Sequence, residues 1–173
     1  MWKIATIVLV LTLVGVGGFG VWQGRAPVGD LSSRPQGDVL SATEAQSITI
    51  DQPETDWGQI PINSGIVTRE FMLTNGSGKA VILRKIATSC MCTTGAVEFE
   101  GKTTKFFGME MHTDKNPPVN IEIGAGKAAK VIVKFDPLAH GPEGVGPFDR
   151  AVGLFFDDPI GVREVKFKGE VVK

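Results

Sequence analysis

The chain has 173 residues, a formal net charge of -1, 42% hydrophobic residues and 21% charged ones. That length suits one domain of ~100 to 150 residues with an appendage, and this much apolar content at so little net charge argues against disorder. The balanced charge argues against a nucleic-acid partner, whose phosphates call for a basic surface, and 2 cysteines cannot make a multi-disulfide scaffold.

The first element is apolar. Ile4 to Gly24 carries no charge, and Ile4 to Val21 is apolar or small almost throughout. As a helix rising about 1.5 Å per residue this run spans ~28 Å, close to the ~30 Å hydrocarbon core. Trp2 and Trp22 stand at its ends, where indole rings favour the headgroup level. Residues 1–24 are therefore expected to form a single transmembrane anchor. A signal peptide is the alternative, although no clean A-x-A cleavage pattern follows. Lys3 marks the cytoplasmic side, and on either reading the rest of the chain is extracytoplasmic. The Gly15-x-Gly17-x-x-Gly20 pattern lies inside this segment and has no preceding strand, so it is no dinucleotide fingerprint. Residues 25–46, rich in Gly, Ser, Pro, Ala and Asp, read as a flexible tether.

Residues 47–173 read as an all-β sandwich. Short β-branched and Phe-rich runs alternate with Gly, Pro, Asn and Asp clusters, and seven to nine strands of an immunoglobulin-like fold are expected. Phe71 and Leu73 share one parity beside Glu70 and Thr74. Val131, Val133 and Phe135 alternate with Lys130, Lys134 and Asp136, as a half-buried antiparallel strand requires. Val152, Leu154 and Phe156 supply another inward row, and so do Val165, Phe167 and Val171 against Glu164, Lys166 and Lys168. Between Ala80 and Cys92 the even positions Ala80, Ile82, Ile86, Cys90 and Cys92 read as the inner row, interrupted by Arg84. Asn75-Gly76-Ser77-Gly78, Gly124-Ala125-Gly126 and Asp157-Asp158-Pro159 read as hairpin turns. The Asn75-x-Ser77 sequon reads as turn chemistry.

Asp56-Trp57-Gly58-x-Ile60, Phe71-x-Leu73-x-Asn75, and Thr88-Ser89-Cys90-Met91-Cys92-Thr93 together form a pattern. With Ile123-x-Ala125-Gly126 and Val133-x-Phe135-Asp136 it resembles the bacterial domain-of-unknown-function family 1573 over Ile48 to Val172. The resemblance implies an exported immunoglobulin-like sandwich of the ASPM/Hydin type with no established biochemical activity. Its most specific piece is Ser-Cys-x-Cys-Thr; Trp57 stands where the family usually has Phe. Phe106 to Pro118 and Asp136 to Pro142 exceed the family pattern and suggest a subgroup with Met and His in its loops.

The cysteines are the unusual residues. On an extended strand, positions two apart have Cα atoms ~6.6 Å apart, at the edge of disulfide geometry, so a Cys90–Cys92 bond is expected to be awkward. Two thiolates on one ion sit ~4.6 Å apart, which such a pair can reach. The other soft or imidazole donors are Met109, Met111, His112 and His140. Thiolate, thioether and imidazole together select copper(I) over hard ions. Three readings stay open: a packed structural Cys pair, a soft-metal site drawing on these residues, or a thiol redox pair.

No G-x-S-x-G, H-E-x-x-H, P-loop or EF-hand motif is present. The expected protein is thus no enzyme. It is a single-pass, membrane-tethered binding or scaffolding module for an unknown partner at the cell surface, with copper(I) binding and thiol redox chemistry as alternatives.

Overall fold

The structure, a computed structural model, describes residues 41–111 and 115–173. The expected anchor at 1–24 and the tether as far as residue 40 lie outside the described residues. Among the described residues no helix is long and apolar enough to cross a membrane.

The chain forms an all-β sandwich of two five-stranded sheets. A short helix α1 (Ala42–Gln46) leads into β1 (Ile48–Ile50), β2 (Glu54–Pro61), β3 (Val67–Asn75), β4 (Val81–Thr88) and β5 (Thr93–Phe99). Then come β6 (Lys102–Thr103), β7 (Ile121–Ile123), β8 (Ala128–Phe135), a 3-10 turn at Gly141–Gly144, β9 (Gly146–Phe156) and β10 (Val162–Val172). One sheet has the order β1-β3-β8-β5-β6 and the other β2-β10-β9-β4-β7. Every pair is antiparallel except β2 with β10. The ten strands among the described residues exceed the seven to nine expected, because β1, β6 and β7 have only two or three residues each, too few to display an alternation. The last residues of the expected tether also belong to the fold. Ala45 is buried, and Arg163 Nη2 donates to its carbonyl at 2.7 Å.

Alternation places the core between the sheets. Val131, Val133 and Phe135 of β8, Val152, Leu154 and Phe156 of β9, and Val165, Phe167 and Val171 of β10 are all buried. Burying each such side chain stabilises the fold by roughly 1.5–3 kcal/mol relative to exposure. Trp57 stacks on Phe167 at 4.0 Å between ring centroids, and Phe135 stacks on Phe148 at 4.5 Å.

Two expectations for the middle of the chain are corrected. In β4 the buried residues are Val81 and Leu83, then Ile86 and Thr88, whereas Ala80 is exposed and Ile82 half-buried. A register shift between Leu83 and Lys85 in the pairing with β9 adds one residue and moves the inner row from odd to even positions. Arg84 is that point of change, its guanidinium held outside the sheet by Asp157.

The turns at Asn75–Gly78 and Gly124–Gly126 are not hairpins. Each carries the chain from one sheet to the other, from β3 to β4 and from β7 to β8. Asn75 holds the two crossings together: its Nδ2 lies 2.8 Å from Lys79 O, 2.9 Å from Ile123 O and 3.0 Å from Gly124 O. The turn after Asp157 does join a hairpin, β9–β10.

Candidate functional site

Cys90 and Cys92 lie on a third crossing, between β4 in one sheet and β5 in the other. Thr88 Oγ1 sits 3.0 Å from both Cys90 O and Thr93 O, which ends the strand and bends the chain. Thr93 N donates back to Cys90 O at 3.1 Å. Ser89 is tied to β9 through Ser89 N to Ala151 O at 3.0 Å and Ala151 N to Ser89 Oγ at 2.9 Å. Asp136 N, just past the end of β8, donates to Cys92 O at 2.9 Å. The turn is therefore fixed to both sheets by hydrogen bonds to its own backbone.

The expectation that the cysteines share one face of a strand is corrected here. In the bend their Cα atoms are 5.3 Å apart, inside the usual disulfide range, and the two sulfurs are bonded to each other. The expected awkwardness followed from extended Cα spacing, which the bend shortens to 5.3 Å. Cys92 is 3% exposed whereas Cys90 is half-buried. Cys92 N approaches Cys90 Sγ at 3.4 Å, so the turn's own backbone faces the sulfur of the half-buried Cys90.

His140 comes to this turn from the segment after β8. Asp136 Oδ1 accepts from Leu138 N at 2.9 Å, and Gly141 N donates to Leu138 O at 2.8 Å. Gly141 adopts φ +69°, a left-handed conformation that costs glycine little. This tight turn sets His140 Nε2 3.3 Å from Cys90 Sγ. The ligand atoms of Cys90, Cys92 and His140 all lie within 4.8 Å of one another, and the three could hold a metal ion. That limit is close to the reach of two donors on one ion, since bonds of about 2.0–2.3 Å let them stand at most ~4.6 Å apart. The ion needs the sulfur–sulfur bond reduced, because each sulfur ligates as a thiolate.

Arg150, on β9, was not among the expected site residues. Its Nε donates toward Cys92 Sγ at 3.3 Å, and its Nη1 donates to Asp149 O at 2.8 Å. The signal for it was present in the alternation. Phe148, Arg150, Val152, Leu154 and Phe156 share one parity, so a cation occupies the inward row of β9.

The methionines flank the crossing from a third direction. Thr88 and Met109 form an isolated parallel bridge, with Thr88 N donating to Gly108 O at 3.3 Å, so this segment runs beside the end of β4. It is anchored by Glu110, which accepts from Lys85 Nζ at 2.9 Å and from Asn116 N at 2.9 Å. The Lys85 hydrogen bond, followed by that from Asn116, holds the Glu110 carboxyl below its ordinary range. Asn116 Nδ2 also reaches Ile86 O at 3.0 Å and Gly108 O at 2.9 Å. Met109 and Met111 are exposed here, as is Met91 between the cysteines. The close donor group is Cys90, Cys92 and His140; His112 lies outside the described residues.

No family model and no curated protein matches the chain. Among solved structures it is similar to a protein of unknown function from Porphyromonas gingivalis W83, at 17% identity and TM-score 0.52 over 78% of this chain and 51% of that one. The chain thus spans about half the length of that protein, and the likeness is one of fold alone. The ASH/PapD-like domain 7 of human CEP192 aligns at 10% identity and TM-score 0.45, over 78% of this chain and 91% of that domain. The VesB protease of Vibrio cholerae aligns at 15% identity and TM-score 0.48, over 76% of this chain and 33% of the protease.

Proposed function

We propose that the protein is a binding module rather than an enzyme, and that its ligand is a soft metal ion, copper(I), held by reduced Cys90 and Cys92 together with His140. The reading rests on one observation above all: His140 Nε2 lies 3.3 Å from Cys90 Sγ, in a donor group whose ligand atoms fall within 4.8 Å of one another. Two thiolates and one imidazole suit a soft ion, and hard ions would call for clustered carboxylates instead. Two thiolates on copper(I) leave a net charge of about -1. The Arg150 guanidinium beside Cys92 offsets that charge in a half-buried place.

The module is of immunoglobulin-like architecture, belongs with domain-of-unknown-function family 1573, and is tethered to the cell membrane on its extracytoplasmic side by residues 1–24. These parts of the reading rest on the sequence pattern. Export makes a metal-loaded state useful, since bare paired thiols oxidise in such a compartment.

The test is copper(I) uptake by the reduced full chain in competition with a chelator of known affinity. One ion per chain is expected, and none in Cys90→Ser/Cys92→Ser. Uptake that is equal in the two proteins, or absent from both, overturns the reading.

A further inference from the structure

The bonded pair at the crossing is built asymmetrically. Cys90 is half-buried and its Sγ borders the exposed His140, while Cys92 is 3% exposed and its Sγ faces the Arg150 guanidinium at 3.3 Å. Thiol–disulfide exchange proceeds by attack of a thiolate on one sulfur and departure of the other, and its rate depends on access to the first and on stabilisation of the second. Here access and stabilisation fall on different sulfurs.

We infer that Cys90–Cys92 is a working redox couple with a fixed direction, in which a dithiol reductant attacks Cys90 and Cys92 leaves as a thiolate onto Arg150. The first step forms a bond between the reductant sulfur and Cys90 Sγ and breaks the Cys90–Cys92 bond. The electron pair stays on Cys92, beside a permanent cation. In the second step the reductant's other thiolate attacks its own sulfur in the mixed disulfide and releases Cys90. The reductant ends as a disulfide, two electrons have entered the protein, and both cysteines are free to ligate. Reduction is then the gate to the metal site, because one sulfur cannot be half of a disulfide and a thiolate ligand together. The gating half of this inference rests on the metal-binding reading, whereas the direction of exchange does not.

Two measurements on the oxidised full chain test it. Excess glutathione, a monothiol that stalls at the mixed disulfide, is added and the reaction quenched in acid; peptide fragmentation around Met91 then locates the adduct. Glutathione on Cys90 is expected, and glutathione on Cys92 or equally on both overturns the inference. Separately, reduction by dithiothreitol is timed in wild type, Arg150→Gln and Arg150→Lys. A slowing of about tenfold in Arg150→Gln, with part of the rate restored in Arg150→Lys, fits the loss of one charged hydrogen bond to the departing thiolate. An unchanged rate in a folded Arg150→Gln chain overturns the inference. If that variant does not fold, the adduct position in the unaltered chain decides. An adduct on Cys90 in a chain that takes no copper(I) after reduction removes the metal reading and leaves the direction of exchange standing.

Discussion

His140 Nε2 stands 3.3 Å from Cys90 Sγ although 50 positions separate the two residues. The register of β5 against β8 makes them neighbours. Thr93 pairs with Phe135, so the residues just outside those strands, Cys92 and Asp136, meet through a 2.9 Å backbone hydrogen bond. The tight turn after Asp136 then returns His140 to the cysteine crossing.

His140 is exposed and buries no core surface, so His140→Ala is expected to leave the fold intact. Copper(I) affinity of the reduced chain should fall by at least about tenfold, since the imidazole is the third donor of the proposed site. Chelator competition beside a thermal melt separates the two effects. An unaltered affinity would remove His140 from the site.

Asn75 is 1% exposed, and its side chain links three carbonyls through Nδ2 while Oδ1 accepts from Ser77 N at 3.0 Å and Ser77 Oγ at 2.6 Å. Asn75→Ala is expected to destabilise the chain by roughly 2–4 kcal/mol, because buried backbone carbonyls lose their donors. Urea denaturation measures it. The same burial predicts that the Asn75-x-Ser77 sequon stays unmodified in a glycosylating host, which mass spectrometry would check.

Gly95 lies where the sheets approach closely. A Cβ there would stand 2.7 Å from Val152 Cγ1 and 3.3 Å from Ile86 Cγ2. Gly95→Ala should cost about 1–3 kcal/mol by overpacking. A lowered melting temperature is the readout, and a melting temperature equal to wild type would contradict the close approach.

Acid should destabilise the fold through two carboxylates. The Arg84 hydrogen bond holds Asp157 below its ordinary range, and the Lys85 hydrogen bond does the same for Glu110. A carboxyl depressed in the folded state contributes stability above its unfolded pKa of about 4, and that contribution is lost as pH falls through the lower folded value. Asp157→Asn and Glu110→Gln should each flatten the decline in stability below about pH 4–5. Denaturation midpoints measured from pH 7 downward test this; a decline as steep as wild type in both variants would contradict it.

The strands were legible wherever alternation was long. Rows such as Val131, Val133, Phe135 and Val165, Phe167, Val171 are buried as their parity requires. Parity failed at β4, where an inserted residue near Arg84 changes the row, and parity alone cannot reveal a bulge without the partner strand. Arg150 was legible in principle as a cation on an inward row, but its reason, the Cys92 sulfur at 3.3 Å, comes from a turn 58 positions away in the chain. The turn residues Asn75 to Gly78 marked a reversal; whether a reversal pairs two strands or sends the chain to the other sheet depends on which strands lie alongside, and that is long-range.

The sequence by itself determined a two-sided β fold, because side-chain periodicity is a local consequence of strand geometry. It also singled out Cys90 and Cys92 as the unusual pair, two soft donors with one residue between them. Only the tertiary structure decided that the pair sits in a bend with Cα atoms 5.3 Å apart, bonded together, His140 against one sulfur and Arg150 against the other. Those neighbours come from the segment after β8 and from β9, and cross-strand register, a property of several segments at once, brings them to one crossing.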